Sequence, residues 1–231
     1  MTEPVPALVT LHVWRVPAAR VPGALRRMAT DRGRARRTPE VTFAKLLGTG
    51  DGRTFTVRDS DPTRWAALTA WSSEAAAEQD RVARSWDRIA RETWRLDLRP
   101  LTSRGRWSGR EPFGDPVPRR STGPVLAVTR ARLRPRKAAV FWRAVPAVSA
   151  ELHRSPGLLA SLGVGEAPVG LQGTVSLWRD TSALTAFAQR GPSHREAVRR
   201  TPVEGWYAEE LFARFEVLGS RGTLDGRDPL A

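Results

Sequence analysis

The stretch VLGSRGTLDGRDPL, residues 217–230, repeats LTSRGRWSGREPF, residues 101–113. Ser103-Arg104-Gly105 returns as Ser220-Arg221-Gly222, and Gly109-Arg110-Glu111-Pro112 as Gly226-Arg227-Asp228-Pro229. The likeness extends backwards along the chain. KLLGTGDG (45–52) matches SLGVGEAP (161–168) at Leu47, Gly48 and Gly50 against Leu162, Gly163 and Gly165. LTAWSSEAAAEQDRVARSWDRI (68–89) matches VSLWRDTSALTAFAQRGPSHREAV (175–198) at Trp71 and Trp178, each closing an apolar run before polar residues. Blocks recurring in one order mark an internal duplication, and a duplication governs the fold assignment. The repeats span 1–113 and 125–231, and GDPVPRRSTGP (114–124) has the Pro/Gly punctuation of a linker.

Each repeat reads in the same way. A strand with period-two alternation opens it, ALVTLHVW (7–14) or VLAVTRARL (125–133). A helix follows over 20–32 or 135–152, and in the second copy Val140, Phe141 and Ala144 share one face. A glycine-bearing strand and turn ends at Gly50 or Gly165, and another strand ends at Trp71 or Trp178. A second helix starts from Ser72-Ser73 or Thr181-Ser182, whose hydroxyls suit them to cap its free amides. The last strands are TWRLDLRPL (93–101) and LFARFEVLG (211–219). The order β-α-β-β-α-β is the ferredoxin-like unit. The expected fold is therefore α+β: tandem ferredoxin-like repeats whose sheets press together as a dimeric α+β barrel. The barrel interior is the expected cavity for a flat apolar cofactor or substrate.

Composition sets limits on function. At 231 residues and 40% hydrophobic, the chain can bury one large core or two ordinary ones. The absence of cysteine removes disulfides, thiolate metal sites, iron–sulfur clusters and cysteine nucleophiles together. The first residues do not have the basic and apolar regions of a signal peptide. No apolar run approaches the roughly 20 residues that span a bilayer, so a cytoplasmic protein without a transmembrane segment is expected. The net charge of +14 raises a nucleic-acid reading. Yet of 38 basic residues only Lys45 and Lys137 are lysine, and the arginines are scattered except for RGRARR (32–37). A GC-rich coding sequence writes such a chain whatever its function, so an anionic ligand or lipid headgroup is favoured over nucleic acid as the partner of this charge. GTGDG is not a phosphate-binding loop, because no GK[ST] follows it, and GVGEAP lacks the third glycine of a dinucleotide fingerprint.

Further motifs run through both repeats: FWRAVPAVS (141–149), GVGEAP (163–168), TVSLWRD (174–180), FAQRGPSHREAV (187–198) and WYAEELFARF (206–215), with KLLGTG, RSWDRI and RWSGREPF in the first. In these motifs, over most of the chain, the sequence resembles the spheroidene monooxygenase family of carotenoid-modifying enzymes. The resemblance implies a haem-dependent oxygenase that carries haem b and acts on an apolar small-molecule substrate. It also implies a fold shared with chlorite dismutases, dye-decolourising peroxidases and aldoxime dehydratases. A carotenoid is not specified by it.

Under that implication His194 is the expected iron ligand. Imidazole is the usual axial donor where no thiolate is present. The break RGPS restarts the helix just before it, and the repeats differ there: sixteen residues beyond Trp71 stands Asp87, and sixteen beyond Trp178 stands His194. Glu166, Asp180 or a backbone carbonyl would hold the second ring nitrogen. His12 and His153 are the competing ligands. Trp178, Trp142 and Gln172, the last alternating with Thr174 and Ser176 on one strand face, are expected to line the cofactor. Arg130, which shares a strand face with Arg132, and Arg143 are the expected catalytic groups, pairing a propionate or polarising a ligand. The plainer readings are core for the tryptophans, surface charge for the arginines and a helix-surface position for His194. Two rival functions remain open: a haem-dependent dehydratase acting on an N–O or N–N bond, and a cofactor-free ligand-binding barrel. An electron donor and a homo-oligomer are partners that the sequence leaves undecided.

Overall fold

The computed structural model describes residues 3–53, 59–166, 173–190, 199 and 205–231, with side chains described throughout these except at 135, 138–144 and 190. Strand β1 (Leu8–Arg15) leads to helix α1 (Val21–Arg37), then strands β2 (Val41–Gly50) and β3 (Ser60–Trp71), short helices α2 (Glu74–Ala77) and α3 (Arg81–Asp87), and strand β4 (Glu92–Gly105). The second pass is β5 (Val125–Leu133), α4 (Ala138–His153), β6 (Leu158–Gly165), β7 (Gly173–Trp178), α5 (Thr181–Arg190) and β8 (Tyr207–Gly222).

The strands close into one barrel in the order β1-β3-β2-β6-β7-β5-β8-β4. Within each half the order is that of a ferredoxin-like sheet, β4-β1-β3-β2 and β8-β5-β7-β6. Two antiparallel seams join the halves. The long one pairs β4 with β8, from Trp94↔Gly222 to Gly105↔Leu211. The short one pairs β2 with β6 at Gly48↔Gly165, Thr49↔Val164 and Gly50↔Gly163, which is where the glycines shared by the repeats fall.

The interior differs from the expected cavity. Alternate residues of all eight strands point inward, among them Val9, Leu11, Leu47, Leu68, Leu96, Leu98, Leu126, Val128, Leu162, Val175, Leu177, Leu211 and Phe215. Trp107, Phe113 and Leu224 add to them in one continuous apolar cluster. An eight-stranded barrel is just wide enough for its own side chains to fill. The inside is packed core, with no space for a cofactor among these residues.

Each repeat ends in a turn that the other repeat caps. The turns carry the isolated bridges Trp107↔Arg110 and Leu224↔Arg227. They hold Ser108 and Asp225 in the left-handed region at φ 55°, followed by Gly109 at 75° and Gly226 at 80°. Glu209 of β8 accepts the amides of Ser108 (2.9 Å) and Gly109 (2.6 Å). Glu92 of β4 accepts the amide of Gly226 (2.6 Å) and the hydroxyl of Thr223 (2.9 Å). Just before the turns, Gly105 (φ 91°) and Gly222 (φ 87°) lie so close to the carbonyls of Glu210 and Thr93 that no Cβ fits.

The helices cover the outer faces of the sheet. The second helix of the first repeat is broken in two, and Ser73 caps no amide. Asp80 restarts it, one carboxylate oxygen accepting the amides of Val82 (2.8 Å) and Ala83 (3.0 Å). In the second repeat Asp180 does the same for the Ala183 amide (2.8 Å). A carboxylate at a helix start also meets the positive end of the dipole, so the aspartates take the place expected of the hydroxyls.

Gly105→Ala places a side chain at a left-handed φ against a carbonyl. It is expected to lower stability by about 1–3 kcal/mol in urea unfolding, whereas Gly123→Ala, with open space around it, changes it little.

Candidate functional site

The two outer layers share a scaffold but differ in filling. Leu8 pairs with Trp71 as Val125 pairs with Trp178, so His12 has the register of Thr129 and Trp14 that of Ala131. In the first repeat the space between sheet and helices is mostly filled, leaving a smaller cavity of about 260 Å³ beside His12, Asp80 and Arg95. Trp14, Trp65 and Trp86 pack with Met28, Leu46 and Val82. Trp14 stacks on Trp86 with ring centroids 5.2 Å apart and on His12 at 5.4 Å. The indole N–H of Trp14 donates to Asp87 (2.8 Å) and that of Trp86 to buried Asp31 (3.2 Å).

In the second repeat the same layer opens into a cavity of about 840 Å³. Its floor is the outer face of the sheet: Ala127 and Thr129 of β5, Ser176 of β7, and Glu210, Phe212 and Arg214 of β8. Leu184, Phe187 and Ala188 of α5 form a wall, and Thr102–Arg104 of β4 form a rim. Thr129, standing where His12 stands in the first repeat, lines this room, and at the register of Trp14 stands the small Ala131. Arg104 lies over the Phe212 ring at 5.6 Å and 3.8 Å from Glu210. Arg214 is half-buried and has no acidic partner among the described residues.

The expected site residues divide into three groups. Trp178 is fully buried next to the cavity: it stacks on Phe187 at 5.3 Å and donates its N–H to Ser176 (2.9 Å). Arg130 lies elsewhere. It shares inward parity with Leu126 and Val128 and ends in the mouth of the barrel, where its guanidinium meets Glu166 (2.9 Å) and Glu209 and sits 5.6 Å from the Trp107 ring. Arg132 joins it on Glu209 at 3.3 Å. His194 and Gln172 lie outside the described residues, as do the side chains of Trp142 and Arg143 on α4. The proposed acceptors for a ligating imidazole are already engaged. Glu166 takes Lys45 (2.6 Å), the Trp107 indole (2.6 Å) and Arg130, while Asp180 takes Ala183 and Arg179. His153 closes α4 with Nδ1 2.8 Å from the Ser149 carbonyl.

Burial pushes Glu166 toward higher pKa, but the Lys45 ammonium, the Trp107 N–H and Arg130 hold it below the usual carboxylate range. Glu209 is likewise held down against its burial, by the Gly109 and Ser108 amides and by Arg130. The cluster is thus a plug in which every charge has a partner of opposite sign. The residues that do face the cavity (Thr129, Ser176, Glu210, Phe212, Arg214) were missed as a set. Their common signal is the outward parity of β5, β7 and β8.

Among the described residues, no three His, Asp or Glu side chains are grouped to hold a metal ion, and no described helix is long and apolar enough to cross a membrane. No family model matches the chain. The chain is 38% identical over 220 residues to spheroidene monooxygenase of Rhodobacter capsulatus, covering 91% of this chain and 90% of that protein. It is 35% identical over 225 residues to spheroidene monooxygenase of Rubrivivax gelatinosus, covering 95% and 85%. A crystal structure of aldoxime dehydratase superposes with a TM-score of 0.58 at 12% identity, over 91% of this chain and 80% of that one, which shows a common fold.

His12 gives this half of the molecule a pH signature. Burial, followed by the nearby charge of Arg95, lowers its pKa from 6.5 to about 3, and its Nδ1 is buried with no partner. The unfolded chain takes up a proton near 6.5 that the folded chain refuses, so stability falls as pH drops from 6.5 toward 3. His12→Phe keeps the stack on Trp14 and is expected to flatten that part of the stability–pH curve, measured by urea unfolding at successive pH values.

Proposed function

Because the chain belongs to the spheroidene monooxygenase family, we propose that it is a haem-dependent monooxygenase of carotenoid-like molecules, with haem b seated in the outer-layer cavity of the second repeat. The observation that carries this reading is the asymmetry of the outer layers. Trp14, Trp65 and Trp86 fill most of one layer and leave about 260 Å³ beside His12, whereas the other holds a cavity of about 840 Å³, within the range of cofactor pockets.

The described walls suit the group. Ala127, Leu184, Phe187, Ala188 and Phe212 offer apolar area to a flat macrocycle, and Arg104 and Arg214 stand where carboxylate side arms would be met by guanidinium forks. His194 would hold the iron. In support, α5 contributes Leu184, Phe187 and Ala188 to the wall and ends at Arg190, shortly before His194. Asp87, the residue at the matching distance from Trp71, reaches the outer sheet face at the Trp14 indole. Trp178, Gln172, Trp142 and Arg143 are assigned to the surrounding shell, and Arg130 to closing the barrel. The repeats 1–113 and 125–231 are then two copies of one unit, of which only the second has kept room for a ligand.

Haem, when bound, supplies the centre at which dioxygen is activated. The apolar walls exclude water and hold the hydrocarbon, and the arginines fix the orientation of the cofactor. One oxygen atom enters a C–H bond as hydroxyl and the other leaves as water, so two electrons and two protons come from an external reductant. An electron donor is the partner that this balance requires.

Purified protein is expected to take up hemin with a strong Soret band. His194→Ala should lose that band or shift it, while far-ultraviolet circular dichroism is unchanged. Thr129→Trp, which rebuilds in the second repeat part of the filling seen in the first, should block uptake in a folded protein. A wild-type chain that takes up no hemin, or one whose spectrum ignores both substitutions, overturns the haem reading. Incorporation of label from ¹⁸O₂ into a carotenoid product tests the reaction.

A further inference from the structure

The two repeats satisfy their matching tryptophans differently. In the first, Trp71 donates its indole N–H to Thr10 (3.0 Å). The register of Thr10 is occupied in the second repeat by Ala127, which has no hydroxyl and lines the cavity. Trp178 turns instead to Ser176, two residues back on its own strand, at 2.9 Å. A buried indole N–H needs an acceptor, and loss of the threonine transfers that task to the serine.

The transfer determines where the serine proton goes. A hydroxyl has one O–H and two acceptor lone pairs. Trp178 occupies a lone pair of Ser176, so the O–H turns elsewhere, and no described residue accepts it. Ser176 is 7% exposed, and the space that it does face is the cavity. Its cross-strand neighbours are Ala127 of β5, which offers no side-chain acceptor, and Ser161 of β6, whose hydroxyl makes no hydrogen bond with it. The floor of the chamber, beside the apolar wall of Leu184, Phe187 and Phe212, thus carries a buried hydroxyl donor with no acceptor among the described residues. A pure hydrocarbon leaves that donor unsatisfied, whereas an oxygen atom on the hydrocarbon satisfies it.

We propose that Ser176 is the hydrogen-bond donor that recognises an oxygen-bearing end of a polyene in this cavity, and that Trp178 is its positioning residue. The proposal rests on the carotenoid-like reading above and adds to it a preference for the oxygenated end of the molecule. The hydroxyl touches the ligand oxygen, and the indole acts through the hydroxyl.

The test uses the full chain with two probes: an apocarotenal, which is a conjugated polyene ending in an aldehyde, and a hydrocarbon polyene of matching length. Infrared difference spectra with a ¹³C-labelled carbonyl report the hydrogen bond, and quenching of tryptophan fluorescence reports affinity. Wild type should lower the carbonyl stretch relative to the aldehyde in hexane. Ser176→Ala should return it to the hexane position and weaken aldehyde binding about fivefold, with hydrocarbon binding unchanged. Ser176→Thr should keep the shift. Trp178→Phe should broaden the carbonyl band, because the rotor is no longer held. A carbonyl band at the hexane position in wild type, or one that Ser176→Ala leaves in place, overturns this proposal alone. If neither polyene binds, the carotenoid-like reading falls and this proposal falls with it.

Discussion

Glu209 accepts two backbone amides from a turn of the other repeat while its second face meets Arg130 and Arg132. Glu92 plays the related part at the opposite turn, with Arg15 at 3.6 Å. These carboxylates join chain segments about a hundred residues apart, and long loop closures of this kind must be offset by specific contacts. They hold Trp107 and Leu224 in the apolar cluster that fills the barrel. Behind Trp107, Lys45 and Arg130 would be costly lone cations, and Glu166 pairs with both while Glu209 supplies the second negative charge at Arg130. Sealing the barrel in this way removes its inside from function. The large cavity of the described residues lies outside the barrel, between sheet and helix.

There the duplication has produced two different layers from one scaffold. Three tryptophans in the first repeat bury large apolar area and find acceptors for two of their N–H groups on Asp31 and Asp87. Truncating side chains of this size in a packed core costs about 3–5 kcal/mol each, so this half contributes stability on which the other can draw. Among the described residues the second repeat has no matching tryptophan cluster and carries the destabilising opposite, an open cavity. A ligand that fills such a space binds the folded state alone and so stabilises it. One copy holds the fold and the other keeps the room.

Strand positions were legible because the period-two alternation is strong in the first and last strand of each repeat and the glycine and tryptophan landmarks of the middle strands recur in both. The β-α-β-β-α-β order followed from them. Alternation does not say which of two apolar faces is filled, and the expectation of a hollow barrel failed on that point: counting inward side chains requires knowing that eight strands close the ring. Arg130 shows the same limit. Its parity with Leu126 and Val128 was readable, and it directs the side chain into the barrel and away from the outer cavity. The helix break at Asp80 was hidden inside an alanine-rich run, where propensity favours one long helix. His194, Gln172, Trp142 and Arg143 were named from motifs, and their side chains lie outside the described residues.

The exchange of Thr10 for Ala127 links the sequence to chemistry most directly. A single hydroxyl is lost on one strand, an indole on the neighbouring strand finds a new acceptor two residues away, and that acceptor's own proton is thereby turned into open space. No new polar residue facing the cavity is required, since Thr69 in the first repeat has the register of Ser176 in the second. The same layer is narrowed to about 260 Å³ beside His12, where Trp14 packs on Trp86, and opens to about 840 Å³ over Thr129. Hydrogen-bond bookkeeping at one tryptophan thus couples the packing difference between the repeats to a directional donor. The polar group stands on the sheet, the more rigid wall of the cavity, where a fixed direction can discriminate between ligands.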